Sequence, residues 1–351
     1  MAEELDREHR FPYDIVAEMA ELGLMGIPFP EEWSGAGGDT LSYAIAIEEL
    51  TRIDSSVAIT VAAHTSLGTM PIFMFGSEEQ KRTWLPELAS GKRLAAFALT
   101  EPGAGSDAGS MRTRAELRDG KWVVNGSKIF ITNAGTDISA CVTIAALTGD
   151  KEISNLIVPN GTEGYDISSP MEKMGWHASD TRELSFKDCA VPEENLLGPR
   201  GAGYKQFLEI LDGGRISIAA MGLGLAEGAY DLALDYARER EQFGQPIAKF
   251  QAIQFKLADM ATEIEAGRGL VYQAAWLKDQ GRPYAKEAAM AKLYTGELAH
   301  RAANHSLQIH GGYGFMDEYA ISRLYRDQKV LEIGEGTNEV QRLVIARHLG
   351  L

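Results

Sequence analysis

Apolar residues recur at three- and four-residue spacing along Tyr13–Leu24 and Thr40–Ile53, which predicts helices that each bury one face. Pro28–Asp39 lies between them, is rich in Pro and Gly, and breaks the pattern. Ser77–Gly91 reads as a capped helix that stops at Gly91. From about residue 96 the period changes. Arg112–Ala134 alternates apolar and polar positions, and Asp119-Gly120 and Asn125-Gly126 within it are both hairpin-turn signals. Ala140–Leu147, Ser154–Asn160 and Arg182–Pro192 read as further short strands. After Gly203 helical spacing returns in long runs. The pattern predicts helices over Arg215–Glu241, Lys249–Gln280 and Ala285 to about His310, with a fourth after Glu335. Long helices joined by short connections predict a bundle. The expected fold class is α+β and multidomain: a helical domain over 1–95, a middle β-sheet domain over 96–195, and a C-terminal four-helix bundle over 196–351.

A chain of 351 residues is too long for one ordinary core, which agrees with that division. Lys and Arg total 34 against 50 Asp and Glu, a net charge of −16, so a general nucleic-acid-binding surface is not expected. Local helix ends and a few Arg could still take a phosphorylated ligand. The two cysteines, Cys141 and Cys189, have no metal-type spacing and read as half-buried thiols in a reducing compartment. No run of about 18 apolar residues stands out, so no membrane insertion is expected. The first residues are charged and lack the apolar stretch of a signal peptide. They also read as a helix already under way.

Glu335 is the residue most suggestive of chemistry. It sits between Gly334 and Gly336, just ahead of Thr337 and an apolar-periodic helix. A carboxylate flanked by glycines contributes little to packing but can reach into a cleft. Taken alone it also reads as a solvated turn residue, with Thr337 simply a helix cap. Phe97–Ser110 is a glycine-rich loop with hydroxyls, which fits either a ligand loop or a flexible connection. Gly222, Gly224 and Gly228 lie inside a helical pattern rather than after a strand, which rules out a Rossmann fingerprint. Asp212 and Arg215 stand one turn apart, as in a local ion pair. His300, His305 and His310 point in different directions on a helix, and no metal site is expected.

Taken together and in order, "LTEPGAGSDAG", "FITNAG", "SDTRELSFKD", "QFGQPI", "QAIQFKLADM" and "EGTNEVQR" resemble the acyl-CoA dehydrogenase family, and most of all its short-chain, butyryl-CoA branch. The resemblance spans nearly the whole chain, short of the family's first helix. It implies FAD held between the β domain and the bundle at a subunit interface of a homotetramer. By resemblance, Phe97, Leu99, Thr100 and Ser106 approach the flavin, and Ser106 also approaches the CoA thioester. Phe130, Ile131 and Thr132 match the flavin-contacting strand, with Phe where the family often has Trp. Arg240, Phe243 and Gln251, with Gln308, Gly311 and Gly312, match contacts to the FAD of a neighbouring subunit. Thr337 and Glu339 match contacts after the catalytic turn. Asp212 and Arg215 match a pair that orients CoA, and Gly336 lets substrate approach the backbone.

Glu335 matches the base that removes the α-proton while the β-hydride passes to flavin N5, giving a trans-2-enoyl-CoA. Some subfamilies carry the base on an earlier helix; here the nearby position is Gly214, which cannot serve. The implied electron acceptor is an electron-transfer flavoprotein, and the implied setting is fatty-acid or branched-chain amino-acid degradation. The compartment follows the organism: the cytoplasm of a bacterium, which the absence of a transit segment favours, or the mitochondrial matrix of a eukaryote. The same motifs leave a branched-chain or aromatic acyl-CoA dehydrogenase open. An acyl-CoA oxidase and a non-catalytic member fit less well, given the length, the acidic charge and the presence of Glu335.

Overall fold

The computed structural model describes all 351 residues. Its first part is helical: α1 (Ala2–Glu8), α2 (Tyr13–Glu21), α3 (Thr40–Ile53), α4 (Ser55–Ala62), α5 (Met70–Phe75) and α6 (Glu78–Ala89). Short polar side chains start three of them. Asp39 caps α3, Asp54 caps α4, and Ser77 with Gln80 forms a capping box on α6. A π-helical segment, Ala63–Thr69, joins α4 to α5. The combined stretch Ser55–Phe75 is long and apolar enough to cross a bilayer, contrary to the sequence expectation, but 78% of its apolar window is buried inside the protein. It is a core helix.

The middle part is one seven-stranded sheet. Its strands are β1 (Leu94–Ala98), β2 (Arg114–Arg118), β3 (Lys121–Thr132), β4 (Ser139–Gly149), β5 (Glu152–Pro159), β6 (Tyr165–Ile167) and β7 (Thr181–Pro192). The order is β1-β4-β2-β3-β7-β6, with β5 added on β4. Trp122, Val124, Ile144, Leu156, Leu184 and Phe186 form its core. The two turn signals in the sequence part company here. Asp119 and Gly120, at φ 50° and 74°, make the two-residue turn between β2 and β3. Asn125-Gly126 is no turn. Both residues lie inside β3, at a register shift against β7, and a Cβ on Gly126 would come within 2.5 Å of Thr113 Oγ1. The glycine is there for close approach.

The last part is the bundle: α7 (Gly203–Glu239), a small hairpin of β8 (Glu241–Gln242) and β9 (Gln245–Pro246), α8 (Gln251–Asp279), α9 (Ala285–His310), α10 (Ala320–Asp327) and α11 (Asn338–His348). Helix α7 begins well before the expected Arg215, because it runs straight through Gly213-Gly214. Helix α10 was not foreseen. Gly222, Gly224 and Gly228 let α7 lie against its neighbours: added Cβ atoms would come within 2.8 Å of Thr295 on α9 and within 2.1 and 2.3 Å of the Glu48 and Arg52 carbonyls on α3. Asp327 ties the three parts together. It accepts from Ser55 Oγ at 2.6 Å and from Trp176 N–H at 2.7 Å. Cys141 and Cys189 are free and fully buried rather than half-buried, and burial pushes both thiols up, to about 12 and about 11.

Candidate active site

Glu335 stands in the turn before α11 at φ 52°, left-handed for a residue that is not glycine. Such a conformation costs about 1–3 kcal/mol and needs outside support. The support is visible. Gln341 Nε2 donates to the carbonyls of Glu335 at 3.2 Å and Gly336 at 2.9 Å. Lys292 Nζ on α9 donates to Gly336 O at 2.9 Å and to Asn338 Oδ1 at 3.1 Å. Thr337 caps α11 by accepting from Val340 N–H at 3.3 Å. The N–H of Glu335 itself donates to no acceptor within the chain.

The side chain of Glu335 points at α7. A Cβ on Gly214 would lie 2.1 Å from Oε2, so the carboxylate occupies the space that glycine leaves. The residue keeps partial access to solvent, but Oε2 is buried with no hydrogen-bond partner. Burial lifts its pKa to about 7, against the pull of Arg215 and then of Lys292. Arg215 pairs with Asp212 one turn earlier on α7, and its Nε is buried without a partner. Burial raises Asp212 against the pull of Arg215, and lowers Arg215 against the pull of Asp212 and Glu335. A cleft adjoins this stretch of α7, lined among others by Tyr43, Ser66, Met70, Ile210, Gly213 and Tyr284. Tyr43 donates to Ala62 O at 3.2 Å, and Ser66 and Ser217 approach to 3.4 Å between their hydroxyls.

Glu335, Gly336, Thr337, Asp212 and Arg215 thus come together. Glu339 lies in the first turn of α11, exposed. Phe97, Leu99, Thr100 and Phe130–Thr132 form a second group at one end of the sheet, where Ile129 N–H donates to Thr100 O at 3.0 Å, and Ser106 lies exposed in the loop that follows β1. A register shift between Lys128 and Ile131 puts Phe130 at φ 62° and leaves it 62% exposed, rather than in the core. Ile131 buries its side chain in the sheet core, so only its backbone can meet a ligand. The glycine-rich loop is anchored, not slack. Glu101 accepts from Arg112 N–H at 2.6 Å, Thr113 N–H at 3.0 Å and Lys128 Nζ at 2.9 Å, and Lys128 also reaches Leu99 O at 3.0 Å. Lys128→Met strands the buried Glu101 carboxylate. It is expected to lower unfolding stability by about 3–5 kcal/mol, read as a fall in the urea midpoint at constant slope.

The third group, Arg240, Phe243, Gln251, Gln308, Gly311 and Gly312, lies at the opposite end of the bundle. Helix α7 runs on for 24 residues between Arg215 and Glu239, roughly 36 Å. Phe243 is 93% exposed at the tip of the β8–β9 hairpin, and Arg240 lies over the Tyr313 ring at 5.5 Å. Within one chain this group does not meet Glu335. Sequence reasoning missed Lys292, Gln341 and Tyr43. Lys292 left a trace: with Ala288, Thr295 and Ala299 it falls at four- and three-residue spacing on the buried face of α9, a lone charge on an apolar stripe.

Three stretches of the chain match known domains in order: the acyl-CoA dehydrogenase N-terminal domain over residues 1–92, the middle domain over 96–189 and the C-terminal domain over 201–350. The chain belongs to the acyl-CoA dehydrogenase family. A probable acyl-CoA dehydrogenase of Bacillus subtilis (strain 168) is 54% identical, over 99% of this chain and 92% of that protein. The structure of butyryl-CoA dehydrogenase from Megasphaera elsdenii superimposes with a TM-score of 0.97 at 44% identity, covering 99% and 93% of the two chains. An acyl-CoA dehydrogenase from Bacillus anthracis, solved in complex with FAD, superimposes at 0.92 with 38% identity, covering 96% of this chain and 62% of that one. Acyl-CoA dehydrogenases are FAD-dependent flavoproteins of fatty-acid metabolism, and their fold, a helical domain, a curled sheet and a helical domain, is the one described above.

Proposed function

We propose that this acyl-CoA dehydrogenase acts on short-chain acyl-CoA thioesters, with Glu335 as the base that removes the α-proton. The observation that carries the reading is the Glu335 carboxylate: buried, unpartnered at Oε2, held against Gly214, with its pKa lifted to about 7. A base tuned toward the working pH transfers protons efficiently. The free N–H of Glu335 suits the thioester carbonyl, where enolate-like charge gathers as the α-proton leaves. Asp212 and Arg215 flank the approach on α7. The butyryl-CoA relative supports a short acyl group, and the buried phenol of Tyr43 bounds the adjoining cleft.

The residues present fit FAD. Phe130 offers an open aromatic face beside the strand end at Thr132, and Gly311 and Gly312 face open space that a flat ring system or a diphosphate can enter. When bound, FAD supplies the hydride-accepting chemistry. Phe97, Leu99, Thr100, Ser106 and Phe130–Thr132 would hold it from the sheet, and Thr337 and Glu339 from the catalytic turn. Arg240, Phe243, Gln251, Gln308, Gly311 and Gly312 would serve a second subunit's cofactor. The roughly 36 Å of α7 between Arg215 and Glu239 supports a site shared between subunits, and the assembly proposed is the homotetramer that the family resemblance implies. An electron-transfer flavoprotein is the acceptor, fatty-acid or branched-chain amino-acid degradation the setting, and a bacterial cytoplasm the compartment.

Anaerobic titration of the flavin-loaded protein with butyryl-CoA tests this. Bleaching of the visible flavin band is expected at stoichiometric butyryl-CoA. Bleaching only by branched, aromatic or longer thioesters would overturn the short-chain assignment. No bleaching by any of them would overturn the dehydrogenase reading.

A further inference from the structure

We infer that Lys292 is the positioning residue for Glu335: its ammonium pins the Gly336 carbonyl and the Asn338 side chain, and so fixes the left-handed turn that presents the carboxylate to Gly214. The inference rests on the reading of Glu335 as the base.

Lys292 is fully buried on α9, amid small residues of the bundle core. Taking an ammonium out of water costs several kcal/mol unless good acceptors replace the lost hydration. No carboxylate pairs with it. Its acceptors are Gly336 O at 2.9 Å, in the turn that carries Glu335, and Asn338 Oδ1 at 3.1 Å, on the first residue of the helix that follows it. A methionine would fill the same slot with no charge to bury. Packing therefore does not account for a lysine here, and the turn does. Gln341 holds the same turn from α11, but it is neutral and brings no charge to the carboxylate.

The ammonium also sets the charge around the base. From α7, Arg215 faces Glu335 together with its partner Asp212; from α3, Tyr43 does; Glu332 and Glu339 flank the turn. Lys292 and Arg215 are the two cations, and each favours the ionised carboxylate. Without Lys292 the carboxylic acid holds its proton more tightly. The acid limb of the pH profile then moves to higher pH, which a purely structural lysine would not cause.

The test uses flavin-loaded, full-length Lys292→Met, Lys292→Gln and Lys292→Arg beside Glu335→Gln. Steady-state kinetics with butyryl-CoA are measured from pH 5.5 to 9, and the crystal structure of the methionine variant is determined. The expected result for Lys292→Met is bound flavin, little change in KM, a fall in kcat of about tenfold or more, and an acid limb raised by about one pH unit. Lys292→Arg is expected to restore the limb. The crystal structure should show Glu335 out of its left-handed conformation. If Lys292→Met does not fold, Lys292→Gln, which keeps a donor and loses the charge, should still raise the limb. An unmoved limb and kcat in Lys292→Met, or an unmoved limb in Lys292→Gln, overturns the inference, and an inactive Glu335→Gln beside it leaves the base reading standing. A Glu335→Gln protein that still reduces its flavin at near wild-type rate overturns both.

Discussion

Glu335→Gln is expected to give a folded, flavin-binding protein whose flavin is reduced by butyryl-CoA about 10³–10⁴-fold more slowly than in the wild type, with binding of the thioester little changed. The substitution is nearly isosteric, and the amide can occupy the space beside Gly214. The turn is held through main-chain carbonyls by Gln341 and Lys292, so its conformation does not depend on the carboxylate. Only proton-accepting capacity is lost. Stability supplies a control. The folded carboxyl is raised to about 7 from an ordinary value of 4.5, so ionisation opposes folding: stability is lost progressively as pH rises from 4.5 to 7, and the penalty is fully present above 7. The glutamine variant lacks that penalty and should melt at or above the wild-type temperature at pH 8. A reduction rate within about tenfold of wild type would mean that another group takes the proton.

Gly214→Ala is expected to reduce kcat by about a hundredfold or more while leaving the fold and flavin content intact. The added methyl would sit 2.1 Å from Oε2 and 2.9 Å from Cδ of Glu335, closer than atoms approach. What gives way is the end of a flexible side chain, not backbone, so the bundle absorbs the change cheaply. The carboxylate moves by an ångström or more, and misplacement on that scale costs about 10²-fold in rate. Alanine is also the better helix former in the interior of α7, by about 0.8–1 kcal/mol, so melting should not fall. A variant with full activity would show that the carboxylate does not work from this position. A variant that fails to fold would show that Gly214 serves packing.

The helical, β and helical parts were legible because their hydrophobic periods differ, 3.6 against 2. Glu335 was legible because two glycines beside a carboxylate offer so little to packing. Gly214 was legible as a position that cannot carry a base, but its space-making role was not, because that depends on where α11 returns against α7. Asn125-Gly126 misled, since the glycine signals close approach of Thr113 in a continuous strand as readily as a turn. Ser55–Phe75 escaped notice because scattered hydroxyl and small residues break up its apolar run, although 78% of its apolar window is buried. Lys292 and Gln341 were missed because both donate to main-chain carbonyls of the turn, from α9 and from α11, and a sequence carries no mark of which carbonyl a buried donor will meet. The exposure of Phe130 could not be read from periodicity, because the register shift that turns it outward leaves no signature in an alternating strand.

The most direct test of Glu335 as the base is the pH dependence of flavin reduction by butyryl-CoA in a single turnover, from pH 5 to 9. The expected rate rises with pH through an acid limb near pH 7, because the carboxylate must be ionised to accept the α-proton. A rate that stays flat across that range, or that falls as pH rises through 7, would contradict that assignment.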